Sequence, residues 1–385
     1  MQRMKHVYRI IAFILILIIS LFICSKLFVH TSSHNEMRIR NFFLQEKNSI
    51  DVVFIGASEI FTGISPMQIW NDYGITSYNL AASGLTMNMT KNMLKETLTR
   101  QNPKLIVVSL NGCIYDDRKS REGMERFWID NVPFSINKIR TIDEINYKED
   151  KLQFYFPLSK YHSNYNKMDE NISLTLLQLN NFFKRENLIS QTSYLSSGVY
   201  SGNDKIIYAE NFSDKSNMYP DAEEDLKELL DYCDENNLKD RIAFVNMPAY
   251  YNESLIENKM RVNSGIEMVK NRGYRVYDLD NFKTEIGLKL VNDYYNTGHP
   301  NVFGQEKITK YFFEMLNNEY KIKGQYSKTI IDRWNDDYKM FEKLKNRAKK
   351  TYNSIRPGKD FVYTFEAIEH IEDNTIDKYE KEVLG

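Results

Sequence analysis

Two short stretches of this chain carry residue types that could do chemistry together. In GASEIF, Ser58 follows the apolar run DVVFIG, Asp51 to Gly56. A hydroxyl there is a weak nucleophile until a base takes its proton, and Ser after Gly is also ordinary turn chemistry. In DYYNTGHPNVFGQEKIT, Asp293 to Thr309, His299 occupies a Gly- and Pro-flanked loop just before an amphipathic helix with Ile308, Tyr311, Phe312 and Leu316. Of the other histidines, His6 precedes a long apolar stretch, His30 and His34 follow it, and His162 and His370 have no recognisable setting. If the fold brings Ser58 and His299 to one edge, the imidazole can take the serine proton and free an attacking oxygen. No His/Cys/carboxylate cluster has metal-ligand spacing, and neither G-x-G-x-x-G nor G-x-x-x-x-G-K occurs, so no metal or nucleotide cofactor is expected.

The elements that must position these residues are legible as apolar runs alternating with helical periods. DVVFIG (51–56), SYNLA (77–81), LIVVSL (105–110), IAFVNM (242–247) and YRVYDL (274–279) read as strands. Helices are expected from Pro66, with Ser65 as N-cap, to about Tyr73, and over about 86–100, 222–235 and 253–271. Strands separated by such helices imply right-handed crossovers and an α/β three-layer sandwich with a mainly parallel central sheet, flavodoxin-like in class. Ser58 then stands at the carboxyl end of the first strand, the functional edge of an open sheet, with a loop expected before the next helix. Residues from about 116 to 221 break the rhythm and are rich in Tyr, Phe, Asn and Ser, with a helix expected near 172–187. They read as an insertion over one end of the sheet, either shaping substrate access or serving as a structural cap. After Tyr320 the chain turns polar and helical and then acidic, a surface extension over 326–385.

The stretch Ile10 to Val29, IIAFILILIISLFICSKLFV, has about the length a helix needs to cross the hydrocarbon core. Arg3, Lys5 and Arg9 precede it and Lys26 alone marks its far end, so the positive-inside rule puts the N-terminus in the cytoplasm and residues after about 30 outside. A cleaved signal peptide competes with this signal anchor, but no small-residue cleavage site is evident, and Ile23 is bulky for lipoprotein processing at Cys24. The expected layout is thus a cytoplasmic N-terminus and anchor (1–30), a membrane-proximal linker (31–47), and the α/β domain (48–325). Lys and Arg number 51 against 52 Asp and Glu, a net charge of -1 that excludes a nucleic-acid coating protein. Three Cys cannot build a disulfide framework.

The order GASEIFTGISP, YNLAASG, NPKLIVVSLNG and GHPNVFGQEKIT resembles the SGNH hydrolase superfamily. Within it, the chain looks most like the membrane-anchored branch of DltD-like and alginate-O-acetylation-like proteins, over the anchor and about 48–115 and 222–325. The resemblance implies Ser58 as nucleophile and His299 as general base. It also implies an oxyanion hole from the backbone N–H groups of Ser58 and Gly84 and the side chain of Asn111. Ser83-Gly84 could also be only a turn, and Asn111 reads equally as a strand-end cap. The superfamily commonly carries Asp three residues before the His, where this chain has Asn296; Asn can accept the ring N–H but cannot supply the charge. Asp293 could substitute if the loop folds back, or could be a helix cap or a solvated charge. By resemblance, the chain is expected to be a membrane-anchored, extracytoplasmic acyltransferase or esterase acting on a cell-envelope polysaccharide or teichoic acid. The bilayer, that polymer and a membrane-bound O-acyltransferase are its expected partners. The alternative expectation is an SGNH-fold protein of weak or no activity that binds polymer or scaffolds that acyltransferase.

Overall fold

The computed structural model describes residues 2–29, 34–116, 122–145, 151–169, 171–172, 176, 183, 188–189, 192–207, 210–354 and 362–363. The chain divides into two compact units, one formed by 1–32 with 148–184 and the other by 33–147 with 185–385. The expected insertion is therefore divided, and its middle belongs with the N-terminal helix. Composition runs unchanged through that stretch and left no seam to read. The helix expected near 172–187 lies largely outside the described residues.

In the first unit, α1 (Gln2–Phe28) is long and apolar enough to cross a membrane by length and composition. At about 1.5 Å per residue its 27 residues reach about 40 Å. Short helical pieces accompany it, among them Leu152–Tyr155, Leu158–Tyr161 and the 3-10 segment His162–Lys167.

The second unit is α/β. Residues 34–44, read from sequence as linker, instead form helix α2 (His34–Leu44), which packs on a strand of the sheet and buries Met37, Ile39 and Phe42. Its apolar face was obscured by Arg38 and Asn41, which are buried as well. Next come β1 (Val52–Gly56), α3 (Ser58–Gly63), α4 (Pro66–Tyr73), β2 (Ser77–Ala81), α5 (Met87–Arg100) and β3 (Leu105–Ser109). A two-residue strand, β4 (Leu195–Ser196), pairs with β9 (Val362–Tyr363). Strands β5 (Ile242–Asn246) and β6 (Arg275–Asp278) complete a five-stranded sheet of order β2-β1-β3-β5-β6, every neighbour parallel.

The alternating faces of these strands explain the layers. Val52, Phe54, Val107, Ala243 and Val245 pack under the helix Val302–Tyr320 through Ile308, Phe312, Phe313 and Leu316. On the other side α5 lies against β1, and the helix Pro220–Glu235 lies against α5. The C-terminal helix Lys328–Tyr352 joins this unit. Trp334 packs on Trp70 at a ring distance of 5.3 Å, and Phe341, Leu344 and Ala348 are buried. The sequence shows its charged face more clearly than this stripe.

Strand order reverses direction between β1 and β3, since β1 leads outward to β2 and β3 leads the other way to β5. The crevice outside the carboxyl ends of two such strands is the usual ligand position in open α/β sheets. Ser58 and Asn111 stand just past those ends.

Candidate active site

Ser58 is the first residue of α3, a six-residue helix that replaces the loop expected there. The turn into it is tight. A Cβ on Gly56 would lie 2.5 Å from Ser109 Cβ and 2.7 Å from Ile60 Cγ1, so only glycine lets β1 run this close to β3 before the serine.

His299 comes from a hairpin of β7 (Tyr294–Asn296) and β8 (His299–Pro300), in which Asn296 pairs with His299. The hairpin is bolted down at several points. Tyr294 Oη donates to the Pro248 carbonyl at 2.8 Å, and Tyr250 N donates to the Thr297 carbonyl at 2.7 Å. Asn301 caps the following helix, accepting from the N–H groups of Phe303 and Gly304. A Cβ on Gly304 would come within 2.1 Å of the Asp293 carbonyl oxygen, so glycine is needed where that helix leaves the hairpin. Gln305 Nε2 then donates to the carbonyls of Phe61 and Thr62, at 3.1 and 3.0 Å, tying the histidine segment to the serine helix.

These ties bring together two side chains 241 residues apart. Ser58 Oγ and His299 Nε2 are 2.7 Å from each other. Their protonation follows from the neighbours. Asn296 Oδ1 accepts from Gly298 N at 2.9 Å, and a backbone N–H can only donate, so the amide oxygen faces the turn. The same oxygen lies 2.9 Å from His299 Nδ1, which must therefore carry the ring hydrogen. Nε2 is left with its lone pair directed at the serine hydroxyl. Burial holds the imidazole down at about 4, so it is neutral at pH 7 and Nε2 is open to accept a proton. Tyr295 stacks on the ring with an interplanar angle of 14°.

Asp293 does not substitute for Asn296. Its buried carboxylate accepts from Lys289 N and from Lys307 Nζ, both at 2.8 Å. It caps the start of the short helix Leu290–Asp293, by accepting the N–H of Lys289, and is not a solvated charge.

Asn111 opens the 3-10 turn Asn111–Ile114 after β3. Its Nδ2 donates to Glu59 Oε2 at 3.1 Å, and its backbone N donates to Ser109 Oγ at 3.1 Å. Gly84 lies in the turn after β2 with φ +64°, the left-handed conformation glycine favours. The cavity at Ser58 is lined by Asn111 but not by Gly84.

Glu59, which the sequence reading passed over, organises this corner. Its carboxyl is buried and accepts from Ala57 N at 3.0 Å, Ser109 Oγ at 2.6 Å and Asn111 Nδ2. Burial pushes its pKa up, against the pull of those hydrogen bonds. The available signal was an acidic residue directly after the serine inside the apolar stretch of GASEIFTG.

The cavity holds about 280 Å³ and reaches Ser58, His299, Asn111 and Asn296. Its far wall is apolar and aromatic, with Ile114, Met247, Tyr250, Tyr251, Leu255 and Val262. A buried charge cluster stiffens that wall. Asp280 accepts from Tyr251 Oη at 2.9 Å and Asn246 Nδ2 at 2.8 Å, and it is ion-paired to Lys259 and Lys283. Burial would raise the Asp280 pKa, but the two ammonium groups prevail and hold it low. A larger open depression of about 910 Å³, lined by Lys95, Arg140, Glu228 and Arg241 among others, includes neither Ser58 nor His299. Chemistry favours the smaller site.

No protein-family model matches the chain, and no curated protein matches it. Cys113 and Cys233 are buried and not disulfide-bonded.

Proposed function

We propose that this chain is a membrane-anchored, extracytoplasmic acyltransferase or esterase of SGNH type that modifies a cell-envelope polysaccharide or teichoic acid. The contact of 2.7 Å between Ser58 Oγ and His299 Nε2 carries the reading. Ser58 Oγ attacks an ester carbonyl carbon while His299 Nε2 takes the hydroxyl proton. The carbonyl oxygen gains charge, which the Ser58 N–H and Asn111 Nδ2 would stabilise, while Gly84 stands off the cavity. Collapse breaks the ester C–O bond, His299 returns the proton to the leaving alcohol, and an acyl-serine remains. Water or a sugar hydroxyl, deprotonated by His299, then attacks that acyl group and restores Ser58. A cavity of about 280 Å³ suits a small acyl group rather than a long chain.

Arg3, Lys5 and Arg9 in the first turns of α1, against Lys26 alone near its far end, support the outward placement of the α/β unit. A membrane-bound O-acyltransferase would be the matching acyl donor system. One observation favours a second reading, a polymer-binding or scaffolding protein of the same fold: Asn296 offers the imidazole a neutral acceptor where a carboxylate would stabilise the imidazolium.

The test is covalent trapping by a fluorophosphonate together with hydrolysis of p-nitrophenyl acetate, using the full chain in detergent. Labelling should map to Ser58, and both signals should vanish in Ser58→Ala and fall at least a hundredfold in His299→Ala, about the scale of general-base catalysis. Turnover that persists in Ser58→Ala would remove the enzymatic reading.

A further inference from the structure

We propose that residues 151–169 form a collar at the carboxyl end of α1 that seats Phe156 and Tyr165 in the headgroup region of a lipid bilayer. This rests on α1 being the membrane span. Along α1 the described side chains are exposed from Met4 to Leu21 and at Ile23, whereas Cys24, Ser25 and Phe28 are partly covered and Val29 is buried. The pieces Leu158–Tyr161 and His162–Lys167 contact this helix. Asn164 Nδ2 donates to the Phe28 carbonyl at 3.3 Å. The last carbonyls of a helix have no partner within it, and near hydrocarbon they must find one. Asn164 supplies it for Phe28.

That contact fixes the depth. The apolar span runs from Met4 to Ser25, so a segment bonded to Phe28 sits where hydrocarbon gives way to headgroups. The segment has the chemistry of that layer, with Phe154, Tyr155, Phe156, Tyr161 and Tyr165 interleaved with Lys151 and Lys160. Phe154 is buried and anchors the collar, while Phe156 and Tyr165 remain 64% and 72% exposed. Single exposed aromatics are unremarkable on a protein surface. Two of them at the mouth of a span, beside lysines that suit anionic lipid, point to the bilayer surface rather than to a protein partner.

The experiment places the full chain, in a Cys24→Ser background, in nanodiscs of phosphatidylcholine and phosphatidylglycerol. Cys113 and Cys233 are fully buried and stay silent toward the label. Single spin labels are introduced by Leu17→Cys, Phe156→Cys, Tyr165→Cys and Asn236→Cys, and the accessibility of each to oxygen and to a water-soluble nickel complex is measured. Leu17 should favour oxygen strongly, exposed Asn236 should favour nickel, and labels at 156 and 165 should fall between them. Nickel access at 156 and 165 equal to that at 236, with 17 still in hydrocarbon, overturns the proposal alone. So does protection that appears only in native membranes, which assigns the surface to a protein. Nickel access at 17 removes the membrane reading beneath it, and the proposal with it.

Discussion

Replacing Asn296 by Asp tests the site at its weakest electrostatic point. Both contacts made by Asn296 Oδ1, from Gly298 N and His299 Nδ1, use it as an acceptor, so a carboxylate keeps the hydrogen bonds and adds only charge. With charge centres about 5 Å apart and an effective dielectric of about 20, the attraction to an imidazolium is about 3 kcal/mol. That energy is about two pK units, so the histidine should move from about 4 to about 6. It should also stabilise the imidazolium formed when Ser58 attacks, raising the plateau rate of ester hydrolysis about a hundredfold. This is less than the ~10⁴ lost on the reverse change in a serine-protease triad, because the amide here already holds the ring in the working tautomer. The assay is kcat/KM for p-nitrophenyl acetate between pH 4 and 9 on both proteins. The native acid limb should lie near 4, and that of Asn296→Asp near 6 with a higher plateau. An unchanged limb and an unchanged plateau would refute the assignment of His299 as base and favour the scaffold reading.

Two further outcomes follow from the same geometry. In Glu59→Gln one carboxylate oxygen becomes a donor facing Ala57 N, Ser109 Oγ or Asn111 Nδ2, and one buried donor loses its acceptor, at about 1–3 kcal/mol. If Glu59 aims Asn111 at the developing oxyanion, kcat should fall about tenfold or more with KM little changed; a loss confined to thermal stability would make Glu59 structural only. Stability should also fall on acidification, because burial lowers the folded-state pKa of His299 to about 4, and burial and then Arg38 lower that of His34 to about 3. Each histidine stays neutral in the folded state, while the unfolded chain takes up a proton below its ordinary value of 6.5. The stability each contributes is complete above that value and is lost as pH falls toward the folded value, with about 3 kcal/mol as the upper scale for His299. Urea unfolding at pH 7.5 and 4.5 should show the drop, reduced in His299→Gln; equal stability at the two pH values would contradict the burial of the neutral rings.

Much of the α/β unit was readable because parallel strands covered on both faces are continuous apolar runs. All five stretches expected as strands form the central sheet, and Ser65 and Pro66 start α4 as their residue types suggest. The misreadings share a cause. Helix α2 presents buried Arg38 and Asn41 beside its apolar residues, so its core face looked polar. Helix α3 is too short for a period to show, and Lys328–Tyr352 hides a stripe of Trp334, Phe341 and Leu344 among charges. The insertion lacks periodicity, and its division between two units depends on contacts that no local pattern announces.

The residues by themselves determined the order of strands and helices, an apolar helix of spanning length, and a serine and a histidine at the ends of β1 and of a late turn. Which groups those two would meet was decided in three dimensions. The pairing with Ser58 spans 241 residues, Lys307 draws Asp293 away, and Gly298 N–H sets which face of the Asn296 amide the imidazole sees. Local propensity acts over a few neighbours, whereas a hydrogen-bond partner is chosen by whatever packing places within about 3 Å. That is why the strands could be read along the chain and the charge state of the site could not.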